Sequence, residues 1–140
     1  MNSVIASVSN MPSGESHLSL QAAFIALATA QLSRQVDFYN RFLKIAPTPY
    51  TATYAEFSLK GLRLAIFVPK ADNAAEFAAS RSGAMSVCLE VSDLKGAIAH
   101  LQAIGYPPPG NVLSSSHGQE IYAYDPDGNR LILHQSSSDT

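Results

Sequence analysis

Polar side chains that could bind or transform a small molecule recur at alternate positions of a predicted hairpin. Side chains two residues apart along a strand point to the same face of a sheet. Lys60-Gly61 is a typical two-residue turn, and it pairs Glu56 with Ala65. One face of this hairpin is therefore predicted to carry four candidate ligand-binding residues, which are Tyr54, Glu56, Arg63 and Phe67. A carboxylate beside a phenol and a guanidinium can orient a substrate oxygen or exchange a proton with it.

A second candidate set flanks the run Asp125-Pro126-Asp127-Gly128-Asn129, which is rich in turn-forming residues. Glu120 and Tyr122 alternate on the strand before this turn, and His134 lies on the strand after it. A glutamate in apolar surroundings, either Glu120 or Glu56, could act as an acid–base group, while Tyr122 orients a substrate oxygen. Glu120, Tyr122 and His134 complete the predicted ligand-binding set.

Several of these side chains also have a purely structural explanation. Glu56 and Arg63 lie diagonally across the hairpin and could form a structural ion pair. Tyr122 could be a half-buried packing residue, and His134 could be structural or exposed. Cys88 is interpreted as an inert small core residue, because nothing basic lies near it in the sequence.

Length and composition bound the class of protein. The 140 residues suffice for one domain, and 46% hydrophobic against 14% charged residues predicts an ordered core. A net charge of −2 argues against nucleic acid or an anionic membrane as partner. One cysteine excludes an intrachain disulfide and fits a reducing compartment. No signal peptide and no apolar run of about 18–20 residues is present, so a cytoplasmic protein is expected.

The chain repeats itself with a shift of 62 residues, which places Phe24 to Thr29 over Ser86 to Val91. Each copy is a short strand followed by a helical pattern, the first beginning at Leu32 and the second at Leu94. Asp93 is predicted to cap the second helix. The predicted organisation is two tandem βαβββ modules, residues 20–70 and 84–135, between a mobile tail (1–19) and a polar tail (136–140). Neither module can bury its sheet alone, so they must share a core.

Six strands are predicted after the two helices, three in each copy, and residues 72–82 form the connection between the copies. The predicted strands are Ile45 to Thr48, Ala52 to Ser58, Leu62 to Val68, Asn111 to Ser115, Glu120 to Tyr124 and Arg130 to Gln135.

Two tandem βαβββ modules, with Phe38-Tyr39 on the first helix and the Asp125 to Asn129 turn near the end, resemble the vicinal oxygen chelate superfamily. That group includes glyoxalase I, extradiol dioxygenases, fosfomycin-resistance thiol transferases and bleomycin-resistance proteins. The resemblance covers about residues 20–135 and implies an α+β fold whose sheet forms a half-open cup. It also implies a homodimer, because relatives complete the cup by swapping or docking modules.

Metal-binding members of that superfamily hold a divalent ion with His, Glu or Gln at four inward-facing positions. The resemblance places those positions on Phe24, Ala65, Ser86 and Ile132. Three of these side chains have no lone pair to offer, and a serine hydroxyl alone is a poor ligand. No metal and no other cofactor is therefore expected. A relocated site from His117, Glu120 and His134 is the remaining possibility for a metal, without the usual spacing.

Three functions remain open at this stage. The first is a metal-free protein that binds a small, partly apolar molecule in a cup lined by Phe24, Ala65, Phe67 and Ile132. The second is a lyase, isomerase or transferase of the same superfamily, either metal-independent or with a relocated metal. The third is an interaction module whose cup is filled by its own side chains.

Overall fold

The computed structural model describes residues 19–78 and 83–137, so the predicted N-terminal tail falls almost entirely outside the described residues. The elements in chain order are β1 (Ile25–Ala28), α1 (Leu32–Leu43), β2 (Tyr54–Leu59), β3 (Leu62–Phe67), a short 3-10 helix (Ala71–Phe77), β4 (Val87–Glu90), α2 (Leu94–Ala103), β5 (Leu113–Ser115), β6 (Gly118–Tyr124) and β7 (Arg130–Ser136). Neither α-helix of this part of the chain is long and apolar enough to cross a bilayer.

The strands form two sheets with the same internal arrangement. The first sheet has the order β1-β3-β2, and the second has the order β4-β7-β6-β5. In each sheet the first strand of the module pairs in parallel with the last one, so Ala26 lies beside Ala65 and Cys88 beside Ile132. Ala26 and Cys88, the first-strand members of these pairs, are 62 residues apart, which is the shift that the sequence repeat predicts. The α+β fold of duplicated modules is confirmed.

The first module lacks one strand that the sequence predicts. Ile45 to Thr48 is irregular, so the prediction of a strand there is wrong. The physical reason is the pair Pro47 and Pro49, because proline has no N–H to donate to a strand ladder. Only scattered bonds join this segment to β2, namely Thr48 N to the Glu56 carbonyl at 2.8 Å and Glu56 N to the Pro49 carbonyl at 3.1 Å.

Local turn and cap chemistry fixes the other elements. The Lys60-Gly61 turn joins β2 to β3 in the predicted register, with Leu59 opposite Leu62 and Gly61 at a φ of 80°. The Asp93 side chain caps α2 by accepting a hydrogen bond from Gly96 N at 3.0 Å, which confirms the predicted cap. β6 begins two residues earlier than predicted, at Gly118, and β7 continues one residue further.

One hydrophobic cluster joins the two modules. In the first sheet Phe57 and Leu64 are fully buried, and in the second sheet Leu131 and Leu133 are. The α1 residue Phe38 belongs to the same cluster; its ring contacts Tyr106 of the second module edge-to-face, with 5.0 Å between centroids. The modules therefore bury their sheets against a shared core.

A buried carboxylate also ties the modules together. Asp125, 4% exposed, lies in the turn between β6 and β7. Its Oδ2 accepts hydrogen bonds from the Tyr39 hydroxyl at 2.7 Å and Gln35 Nε2 at 3.1 Å, both on α1. Within the turn it also accepts from Asn129 Nδ2 and from the Asp127 and Asn129 amides, at 2.8–3.0 Å. We call this group the Asp125 clamp, because it connects α1 of the first module to the last turn of the second.

Burial raises the pKa of Tyr39 well above its ordinary value, and the charge and hydrogen bond of Asp125 add to the shift. The unfolded chain ionises Tyr39 near pH 10, whereas the folded protein keeps it neutral. Tyr39 therefore lowers stability as pH rises above that value, by about 1.4 kcal/mol per pH unit.

We expect Tyr39→Phe to remove this alkaline loss of stability. Urea unfolding at pH 9, 10 and 11 measures the free energy of unfolding of the variant and of the wild type. The difference between the two free energies should become smaller as the pH rises. Tyr50→Phe is the control, since Tyr50 is 50% exposed. Parallel pH curves for the wild type and Tyr39→Phe would contradict the assignment.

Candidate functional site

The seven candidate residues lie on the sheet faces that point away from the core. In β2, Ala55 and Phe57 are buried, so Tyr54 and Glu56 project from the opposite face. The same alternation applies to the second sheet, where Leu131 and Leu133 are buried. We call these surfaces the open face of the first sheet (Tyr54, Glu56, Arg63, Ala65, Phe67) and the open face of the second sheet (Cys88, Glu120, Tyr122, Ile132, His134).

Three of the predicted residues form one hydrogen-bonded group on the open face of the first sheet. Glu56 accepts a hydrogen bond from the Tyr54 hydroxyl at 2.8 Å and one from Arg63 Nη1 at 3.4 Å. The Arg63 guanidinium also lies over the Phe24 ring, 4.8 Å from its centroid. The hydrogen bond to Glu56 raises the pKa of the Tyr54 hydroxyl, with burial as the next cause. The structural ion pair considered from the sequence is thus formed, and Arg63 keeps 40% of its side chain exposed.

Phe67, the fourth predicted residue of this face, is partly covered by the chain itself. Its ring packs edge-to-face against Phe77 of the 3-10 helix, with 5.1 Å between centroids. The connection between the modules therefore folds over one end of the open face of the first sheet.

On the open face of the second sheet, the strand register brings His134 between two glutamates. Glu120 is its partner on β6 and Glu90 its partner on β4. The His134 Nδ1 atom lies 2.7 Å from Glu90 Oε1. Ser136 donates to the other carboxylate oxygen through its amide at 2.8 Å and its hydroxyl at 2.7 Å. The Ser136 hydroxyl, followed by His134, lowers the pKa of Glu90.

Tyr122 lies next to this group and is more open to solvent. Its cross-strand partner is Ile132, which in turn pairs with Cys88 on β4. Cys88 is exposed, so its interpretation as a core residue is wrong. Tyr122 is 39% exposed, so its ring is available to contact another molecule. The structure thus brings the predicted residues together as two groups, one on each sheet.

A cavity of about 620 Å³ lies between β1 and the beginning of β4 and β7. Its walls are mostly apolar and include Ala26, Ala28, Val68, Phe77 and Met85. None of the seven predicted residues lines it, and Phe67 comes near only through its contact with Phe77. Phe24, Ala65 and Ile132 do not line it either, so the predicted lining is wrong for this cavity. A second cavity, of about 840 Å³, lies between the end of α1 and the Cys88 to Asp93 segment.

Arg130 is absent from the seven predicted ligand-binding residues, although strand alternation places it on the face that carries Ile132 and His134. It lines the first cavity, and its Nε donates to the Ser86 hydroxyl at 2.8 Å. Its Nη2 donates to the carbonyl of Gly83.

The four positions at which the resemblance implies metal ligands do not offer the donors that a divalent ion needs. Ser86 is the single position among the four with a lone pair, and its hydroxyl already accepts from a cation, the Arg130 guanidinium. Within residues 19–78 and 83–137, no group of three or more His, Cys, Asp or Glu side chains is placed to hold a metal ion. The relocated site considered for His117, Glu120 and His134 is accordingly not formed.

Comparison with known proteins gives the fold. No family model and no curated protein matches the chain. Among solved structures, a glyoxalase-related enzyme from Fulvimarina pelagi is similar with a TM-score of 0.69 and 22% identity, over 84% of this chain and 89% of that one. The fosfomycin resistance protein FosX from Listeria monocytogenes is similar with a TM-score of 0.68 and 15% identity, over 87% of this chain and 98% of that one. A bleomycin resistance determinant encoded on the transposon Tn5 is similar with a TM-score of 0.60 and 18% identity, over 84% of this chain and 99% of that one. The fold is that of the glyoxalase and bleomycin-resistance proteins, which confirms the resemblance at the level of architecture.

Proposed function

We propose that this protein binds a small, partly apolar molecule in the cleft between its two modules, without the divalent metal of the resembling enzymes. The observation that carries the proposal is the apolar cavity of about 620 Å³ between β1 and β4. Small-molecule sites typically enclose about 300–1,000 Å³, with mostly apolar walls and a few polar groups. The replacement of metal ligands by Phe24, Ala65 and Ile132 supports a site that works without a cation.

The seven predicted residues enter this proposal as the polar and aromatic groups of the two open faces, outside the cavity itself. The group of Tyr54, Glu56 and Arg63 offers donors and acceptors on one sheet. The group of Glu120, Tyr122 and His134 offers them on the other. A ligand larger than the cavity would reach these groups with its exposed end.

The proposal also includes a cytoplasmic homodimer. Within the described residues β1 and β4 each pair with a strand on one side only, and Phe24 is 47% exposed on the open face of the first sheet. A second copy could cover these surfaces. Light scattering tests the dimer, which should have twice the 14.9 kDa mass of one chain; a monomer at micromolar concentration would refute this part.

Filling the cavity should abolish binding. Ala26 lines the cavity beside Ala65, and Ala26→Phe places a ring in the space proposed for the ligand. Small aromatic and alkyl compounds at about 100 times their Kd should stabilise the wild type by about 2.7 kcal/mol. We expect this thermal shift to disappear in Ala26→Phe and to persist in Ala99→Phe, which alters an exposed position of α2.

The outcomes of this screen separate the open possibilities. A ligand that stabilises the wild type and Ala26→Phe equally would refute the site. A protein that responds to none of the compounds would refute the binding function and favour the interaction module with a filled cup, which the contact of Phe77 with Phe67 would then explain.

One observation favours an enzyme as the second candidate, a metal-independent lyase, isomerase or transferase. The Glu90 carboxylate holds His134 Nδ1 at 2.7 Å, which is an arrangement that can orient an imidazole for proton transfer. Once a ligand is known, His134→Gln should abolish its conversion, while the variant still binds it. Absence of any conversion by the wild type would leave the binding protein as the function.

A further inference from the structure

We infer that Arg130 is an anion-binding residue of the cleft, and that the ligand is a small apolar acid, such as an aromatic or alkyl carboxylate. This inference deepens the proposed function and rests on it. It follows from the charge of the cavity wall, from the way the guanidinium is held, and from the position that the guanidinium takes in the fold.

Arg130 is the one charged side chain among the described residues that line the cavity. The surrounding walls, including Val68, Phe77 and Met85, are apolar. A cation beside an apolar cavity is stabilised when a counter-ion accompanies it, because apolar surroundings disfavour an unpaired charge. The chemistry of the wall therefore selects a molecule with an apolar body and one negative charge.

The hydrogen bonds of Arg130 hold the guanidinium in place and leave its charge uncompensated. Both of its acceptors, the Ser86 hydroxyl and the Gly83 carbonyl, are neutral. None of the ion pairs found in residues 19–78 and 83–137 includes Arg130. A guanidinium has five N–H donors, so donors remain for a carboxylate in addition to these two bonds.

Arg63 provides the internal comparison. It also lies on an open face, but its guanidinium is 3.4 Å from the Glu56 carboxylate and stacks on the Phe24 ring. Its charge is thus compensated within the protein. Arg63 and Arg130 both lie on open faces, but Arg63 is paired with a carboxylate and Arg130 is not, so Arg130 is the better partner for an anionic ligand.

The Arg130 guanidinium lies beside one of the positions at which the resemblance implies a metal ligand. Ser86 stands where the resemblance places a metal ligand, and the Arg130 side chain binds its hydroxyl. Arg130 therefore places a positive charge beside Ser86. A guanidinium offers fixed N–H donors that match a planar carboxylate, and it has no open coordination position for chelating oxygens.

Isothermal titration calorimetry with matched acid–amide pairs tests this inference. The probes are benzoate and benzamide, 1-naphthoate and 1-naphthamide, and 4-phenylbutyrate and its amide. We expect wild-type protein to bind the acid of at least one pair about 10- to 100-fold more tightly than the amide, the range of a charge-assisted hydrogen bond. Added salt should weaken the binding of the acid and leave that of the amide nearly unchanged.

Variants then assign the preference to one residue. Arg130→Met should bring the Kd of the acid to that of the amide, and retained amide binding shows that the variant is folded. Arg130→Lys, which keeps the charge, should retain part of the preference. Arg41→Met is the control and should leave both constants unchanged within about threefold, because Arg41 lies on α1 outside the cleft and pairs with Asp37.

The results distinguish failure of this inference from failure of the proposed function. If no acid and no amide binds the wild type, the proposed function is refuted and the inference falls with it. If amides bind as tightly as acids, or if Arg130→Met keeps the preference for the acid, binding in the cleft stands and the role of Arg130 is refuted.

Discussion

Replacing Asp125 by alanine is expected to lower the free energy of unfolding by about 3–5 kcal/mol, because several buried hydrogen-bond donors lose their common acceptor. The Asp125 carboxylate is almost completely buried and accepts bonds from two α1 side chains and from its own turn. Removing it leaves the buried Tyr39 hydroxyl and the Gln35 amide without this acceptor. Each buried donor left without a partner costs about 1–3 kcal/mol.

Urea unfolding followed by far-ultraviolet circular dichroism measures this loss. Asp37→Ala is the matched control, because Asp37 is exposed on the same helix and forms only an i,i+4 ion pair of 3.5 Å with Arg41. The control should cost no more than about 0.5 kcal/mol. A loss below about 1 kcal/mol for Asp125→Ala would show that the clamp does not stabilise the protein.

A double-mutant cycle then locates the coupling. Asp125→Ala and Tyr39→Phe remove the two ends of the 2.7 Å hydrogen bond. Because the residues are in direct contact, the two losses should be non-additive by about 0.5–3 kcal/mol. Additive losses would mean that the turn and α1 are stabilised independently.

The second large effect is expected from Phe57→Ala in the middle of β2. Phe57 is fully buried and packs against the Tyr39 ring, with 6.1 Å between centroids. Truncating a buried phenylalanine costs about 3–5 kcal/mol, since apolar contacts are lost and a cavity remains. Ser58→Ala, on the next and exposed residue of the same strand, should change stability by less than about 0.5 kcal/mol.

The shape of the Phe57→Ala transition carries more information than its midpoint. Because one hydrophobic cluster joins both modules, the variant should still unfold in a single transition. Tyrosine fluorescence and circular dichroism should therefore give the same midpoint. Two separated transitions would mean that the modules hold independent cores.

Local chemistry explains which parts of the fold could be predicted. The Lys60-Gly61 turn determines the register of β2 and β3, and the Asp93 cap determines where α2 begins. The strand predicted at Ile45 to Thr48 is not formed. The apolar residues of this segment suit a strand, but Pro47 and Pro49 prevent a regular ladder.

The candidate site was predictable only in part, for a related reason. Strand alternation is a local property, and it places Glu56 and Arg63 together and His134 beside Glu120. The cavity is formed instead by two strands from different modules, whose relative position depends on packing. The bond from Arg130 to Ser86 joins residues 44 positions apart, and neither residue type by itself indicates the other.

The Asp125 clamp also has a consequence for the order of events during synthesis. Its bond to α1 joins residues 86 positions apart, so the helix is made long before its partner. At about 5–20 residues per second, a ribosome needs roughly 4–17 s to add those 86 residues. Throughout this interval the apolar side of the nascent first half is uncovered, and we expect it to be a substrate for ribosome-associated chaperones.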